Sequence, residues 1–108
     1  MDVNWVYMTA GSTDEARSIG RELVRLRLAA CINIFENMNS LFMWEGDIQD
    51  EREVVMVAKT SNERVPELVE KVKSLHSYSC PCIICLPIQG GNKDFLNWIA
   101  EETGKARE

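Results

Sequence analysis

The stretch CINIFENMNSLFMW, residues Cys31 to Trp44, decides the fold. Its β-branched and aromatic residues read as strand. If that strand stays regular, Ile32, Ile34, Met38, Ser40, Phe42 and Trp44 share one face. Its length is the difficulty. Residues 31–44 would span roughly 46 Å at about 3.3 Å each. A domain of this size, with a radius of gyration near ~13 Å, is only about 35 Å across. The segment is therefore expected to bend at a bulge, at Glu36-Asn37, or to reach onto a neighbouring subunit.

Elements fall into place on either side. Val3–Thr9, VNWVYMT, is a strand broken by Ala10-Gly11. Ser12 then starts a helix, with Glu15 completing a capping box and Ala16, Ile19, Leu23 and Leu26 marking its buried face. Beyond Trp44, Glu45-Gly46-Asp47 turns the chain into a third strand, Glu53–Thr60. A second helix starts between Asn62 and Pro66, with Pro66 in its first turn. Its stripe is Val65, Leu68, Val69, Val72 and Leu75. Cys82–Pro87 is a fourth strand, apolar throughout and so expected at the centre of the sheet. A last short helix follows Gly90-Gly91-Asn92, with Phe95, Trp98 and Ile99 inward and Gly104 past its end.

The order β-α-β-β-α-β plus a short helix predicts one α+β domain over residues 1–108. The arrangement is the split βαβ, ferredoxin-like one, an antiparallel sheet with two helices on one face. The other face is left bare, yet the strands are apolar on both sides: Trp5 and Tyr7 alternate with Val6 and Met8. An uncovered apolar face asks for a partner, and a closed homo-oligomer is the expected one.

Composition narrows the function. With 45% hydrophobic and 27% charged residues, the chain reads as a soluble globular domain. The net charge of −5 argues against nucleic-acid binding, which draws on Lys and Arg. Arg17, Arg21 and Arg25 line a helix but are interspersed with Asp14, Glu15 and Glu22, a solvated face. No apolar run spans a membrane. The start MDVNWVYM lacks a basic n-region, so no secretory signal is expected. Four cysteines in that setting point to a reducing compartment, the cytoplasm.

Several stretches together resemble the CutA divalent-cation-tolerance family. They are LAACINI at 28–34, SLFMWEGDI at 40–48, Glu53 before VVMVAKT, then HSYSCPCI, LPI and FLNWI. The resemblance implies ferredoxin-like homotrimers whose sheets pack inward about a three-fold axis, with extended strands pairing across subunits. It implies tolerance of copper and other divalent metals, no enzymatic activity, and a likeness to the PII signalling trimers, which bind small effectors between subunits. Cys31 matches the LAAC cysteine, and Trp44 the tryptophan after the second strand, with Phe42 where tyrosine is more usual. Lys59 and Thr60 match the end of the third strand. His76, Tyr78 and Pro81 match a stretch close to HPYEVPEI. There Ser77 replaces the proline, Cys80 the valine, and Cys82 the acidic residue, so a thiol stands where the family presents a carboxylate.

The segment HSYSCPCIIC carries the chemistry, because thiolates and imidazole are ligands for zinc and copper(I). Its spacing is poor for one site. On a regular strand Cys80 and Cys82 have Cβ atoms roughly 6.6 Å apart and Cys85 faces the other way. Two thiolates on one zinc need sulfurs within about 3.8 Å. Cys31 and Cys85 read as buried small hydrophobes. Cys80 and Cys82 are the reachable pair, and a trimer could gather them with His76 at a subunit boundary. His76, at a helix C-terminus, is equally suited to capping carbonyls. Trp44 and Trp98 could stack on a ligand or fill an interface. No phosphate loop, H-E-x-x-H or G-x-S-x-G is present, so no catalytic residue is assigned. A Cys82–His76 nucleophile pair is conceivable only if the two lie within hydrogen-bond reach.

The expected role is therefore a non-enzymatic metal-tolerance trimer with no required cofactor. Trp44, Lys59, His76, Tyr78 and Cys82 line its intersubunit cleft, and Cys31, His76, Cys80 and Cys82 are the metal-ligand candidates, copper or another divalent ion being the ligand. The alternatives are a PII-like trimer binding a small anionic effector through Lys59, and a trimeric scaffold for another protein.

Overall fold

The long strand and the segment behind it form one hairpin. In the computed structural model, which describes residues 2–104, β2 (Cys31–Trp44) pairs antiparallel with β3 (Asp47–Ser61). Glu45 and Gly46 both take positive φ, 50° and 85°, as a two-residue type I′ turn requires. The strand after that turn starts earlier than the expected Glu53. Residues 47–52 have little strand propensity of their own, and it is the ladder with β2 that carries them.

A bulge sits where the length argument places it. Phe35 lies opposite Val55 and Met38 opposite Glu53, so Glu36 and Asn37 together face Val54. Asn37 has a φ of 63°. The extra residue inverts the alternation. Ile32 and Ile34, opposite Ala58 and Met56, face the helices. Beyond the bulge Met38, Ser40, Phe42 and Trp44 fall on the opposite, open face with Asn33 and Phe35. The single face expected of a regular strand is thus split in two. The hairpin also lengthens the molecule, whose principal extents are 48 × 28 × 21 Å.

The sheet order is β2-β3-β1-β4, with β1 being Val3–Ala10 and β4 Ile83–Pro87. The expectation that β4 lies centrally is corrected: among the described residues it pairs only with β1 and forms an edge. Apolar residues on both sides of a strand speak to its two faces and not to whether strands pair along both of its edges. Ile83 and Cys85 point to the core, while Ile84 and Leu86 stand 52% and 48% exposed on the open face.

Helices α1 (Thr13–Arg25) and α2 (Val65–Leu75) close the other face. Val6, Met8, Ile19, Leu23, Met56 and Leu68 fill the core between them and the sheet. Helix α3 (Lys93–Glu102) seals one end through Ile99, which packs with Val3 and Ala30. Phe95 and Trp98 do not face inward as expected. They stand half exposed and pack against each other in a tilted arrangement, ring centroids 5.5 Å apart, because the buried stripe of α3 runs through Leu96 and Ile99. Two arginines hold the end of this helix. Arg27 donates to the Glu101 and Glu102 carbonyls, and buried Arg64 to those of Thr103 and Gly104.

Candidate acidic cleft

Glu53 is the centre of the site. It opens the apolar part of β3, and the bulge sets it beside Met38 on the open face. Only 7% of it is exposed. Tyr78, from the loop between α2 and β4, donates its hydroxyl to Glu53 Oε2 at 2.9 Å.

Two residues hold that loop. His76 is the C-cap of α2, as its position suggested, and its N–H donates to the Val72 carbonyl. Its ring does more. Nδ1 accepts from the Tyr78 N–H at 3.0 Å, which leaves the ring proton on Nε2 to donate to the Thr9 carbonyl at 2.7 Å. The side chain has no solvent exposure. Glu15 is the second anchor. Ser12 Oγ accepts from the Glu15 N–H, one half of the expected capping box. The Glu15 carboxylate does not return to Ser12. It accepts from the N–H groups of Gly11 at 3.2 Å and Ser77 at 2.7 Å, and lies 3.8 Å from His76 Nδ1. Gly11 suits this arrangement, since a Cβ there would stand 3.3 Å from the Tyr78 hydroxyl oxygen.

The electrostatics follow from burial and from three carboxylates. Burial, the hydrogen bond to Glu53 and the charges of Glu53, Glu15 and Glu51 push the Tyr78 hydroxyl up to about 12. Burial, then Cys82 and Glu53, raises Tyr7. Burial, followed by Glu53, raises the Cys82 thiol, and burial alone raises Cys85. Glu15 goes the other way: burial opposes its charge, but hydrogen bonds from Ser77 and Gly11 and the neighbouring His76 prevail and lower it. A thiol reagent at neutral pH is therefore expected to label exposed Cys80 well before Cys82 or Cys85. Mass mapping of partly labelled protein checks the order, and equal labelling of Cys80 and Cys82 would contradict it.

Outside Tyr78 lies a cleft of about 450 Å³ between the far half of the hairpin and the loop. Phe42, Trp44, Gln49 and Glu51 line it from the strands, and Tyr78, Ser79 and Cys80 from the loop. No lysine or arginine is among them.

The structure brings Trp44, Tyr78 and Cys80 together around this cleft, with Cys82 close behind near Tyr7 and Glu53. His76 supports the loop from beneath, both ring nitrogens engaged. Lys59 and Cys31 are elsewhere, opposite each other near the other end of the sheet. Lys59 donates to Asn33 Oδ1 and sits 5.9 Å over the Phe95 ring. From Glu53 it is six residues along β3, roughly 20 Å at about 3.3 Å each. Cys31 and Cys85, expected buried, are partly exposed, and all four cysteines are free. Among the described residues no three His, Cys, Asp or Glu side chains of one chain converge as a metal site. The sequence reading missed the roles of Glu15, Glu51 and Glu53. A lone acid opening the apolar run VVMVA was a usable signal for Glu53. Glu51, in a polar stretch, gave none.

Fold and site together define a class: small ferredoxin-like α+β proteins with one uncovered sheet face and an acidic cleft at its end. The chain belongs to the CutA1 divalent ion tolerance protein family, whose model matches residues 4–102. It is 46% identical to the divalent-cation tolerance protein CutA of Archaeoglobus fulgidus over 91% of this chain and 95% of that one. The solved Cut A1 structure from Thermus thermophilus matches at a TM-score of 0.92 and 40% identity, over 94% of this chain and 99% of that one. CutA1 from Oryza sativa matches at 0.94 and 32% identity, over 98% and 97%.

Proposed function

We propose that this protein is a non-enzymatic divalent-metal tolerance protein acting as a homotrimer, and that it binds metal ions, copper foremost, where the acidic cleft meets a neighbouring subunit. The observation that carries this reading is the charge of the cleft. Its wall holds Glu51 and Cys80, Glu53 and Cys82 lie just behind, and among the described residues no cation lines it. Thiols with carboxylates are a donor set that fits copper or zinc. One chain supplies too few converging donors, and a second chain packed across the open face supplies the remainder. The same charge disfavours a PII-like anionic effector, because Lys59, its proposed anchor, is engaged by Asn33 and Phe95 instead. Catalysis is disfavoured too: the Cys82 thiol is raised rather than activated, and His76 has no free nitrogen for it. Free thiols suit a reducing, cytoplasmic setting.

Replacing Cys80 and Cys82 together by serine is expected to weaken copper(I) binding by at least about tenfold, since thiolates are its preferred ligands. Competition with a chromophoric chelator measures this. Unchanged affinity removes the thiols from the site.

A further inference from the structure

We propose that Glu15 is a positioning residue of the cleft: its carboxylate pins the loop between α2 and β4 to the start of α1, and so holds Tyr78 and the Cys80 thiol in place at the cleft wall. Where it concerns metal, this rests on the reading of the cleft given above. Three side-chain hydrogen bonds tie the first residues of the loop to the sheet and to α1. His76 Nε2 is bonded to the Thr9 carbonyl at 2.7 Å, the Tyr78 hydroxyl to Glu53 at 2.9 Å, and the Ser77 N–H to Glu15 Oε2 at 2.7 Å. The first two reach strands. Glu15 alone brings in a helix, and Tyr78 and Cys80, which line the cleft, follow directly after Ser77 and Ser79.

The chemistry requires a carboxylate. Oε1 accepts from the Gly11 N–H and Oε2 from the Ser77 N–H, so each oxygen serves one side of the gap between the β1–α1 turn and the loop. A carboxylate only accepts, and bonds to its charge are stronger than those to a neutral oxygen. Glutamine offers one oxygen, and its amino group would meet an N–H in either orientation. The side chain is 18% exposed, which shields both bonds from water. Helix capping does not account for the arrangement. The Ser12 hydroxyl already serves the Glu15 N–H, and the Glu15 carboxylate is turned to the loop instead of back to Ser12.

The test uses the full chain, reduced and treated with chelator, and compares Glu15→Gln with Ser12→Ala. Ser12→Ala removes the cap of the same helix but keeps the bond to Ser77, so it controls for a weakened helix. Amide exchange followed by NMR reads the loop. The Tyr78 N–H has His76 as its acceptor, a pair that neither substitution touches. Met8 and Met56, opposite each other in the two inner strands, report global opening. In Glu15→Gln the Tyr78 amide is expected to exchange about tenfold faster relative to those two, the factor that goes with losing one bond to a charged group. In Ser12→Ala the ratio is expected to stay at wild type. In a separate titration without chelator pretreatment, copper(I) affinity should fall about tenfold in Glu15→Gln alone, as when a residue that orients a metal ligand is removed. An unchanged ratio in Glu15→Gln, or an equal rise in Ser12→Ala, overturns the proposal. A looser loop with wild-type copper affinity overturns its bearing on metal. A wild-type protein that takes up no copper defeats the metal reading instead, and the exchange ratio, obtained without metal, still decides whether Glu15 positions the loop.

Discussion

Ile84→Asp is expected to convert the assembled protein to monomers. Ile84 lies opposite Tyr7 on the open face of the sheet, where Leu86, Trp5 and Phe35 extend the apolar surface. It is half exposed in one chain, so an aspartate there leaves the monomer fold largely intact. In a closed trimer the same change buries a carboxylate in every subunit, at a cost of several kcal/mol each. The molar mass in solution should fall to that of one chain while far-UV circular dichroism stays close to wild type. The unfolding midpoint should drop by more than about 10 °C, because one kcal/mol is worth roughly 4–8 °C in a domain of this size. An assembly of unchanged mass would show that the open face is not the contact.

Tyr78→Phe is expected to destabilise the chain by about 2 kcal/mol, the usual loss when a buried charged acceptor is left without its donor. Glu53 keeps its burial and loses the one hydroxyl bonded to it. In the Glu53→Gln background the same change should cost at least about 1 kcal/mol less, the coupling expected of groups in direct contact. Urea unfolding of the four proteins measures it, and strict additivity would contradict the bond. The pH dependence has a definite sign. Tyr78, raised from 10.0 to about 12, contributes stability that is whole below pH 10 and is lost as the pH climbs through about 12. Tyr78→Phe removes that component and leaves those from Tyr7, Cys82 and Cys85. Glu15 acts at the other end. Its carboxyl is lowered, so its contribution is present above its ordinary 4.5 and is lost as the pH falls through the lowered value.

Much of the fold was legible because it follows from length and period. A strand too long for its domain implied a bulge, and Glu36-Asn37 is the polar pair where it falls. Which face Phe42 and Trp44 occupy could not be read so simply, since one extra residue inverts all that follows it. The edge position of β4 was hidden for a related reason: an apolar run is silent on whether a strand has neighbours along both edges. At the site, His76 and Glu15 were legible as a helix cap and a capping-box acid. Local pattern stops there. That Glu15 reaches Ser77 across 62 positions of sequence is a property of how α1 and the loop pack. Lys59 was placed in the cleft by resemblance alone, and the distance along β3 removes it within one chain.

Native mass spectrometry of the reduced protein, alone and then with copper(I) or zinc, tests the claim of a metal-binding trimer most directly. The expected result is a trimer that takes up a fixed number of metal ions per three chains. A monomer, or a trimer carrying only weak and graded metal adducts, would contradict it.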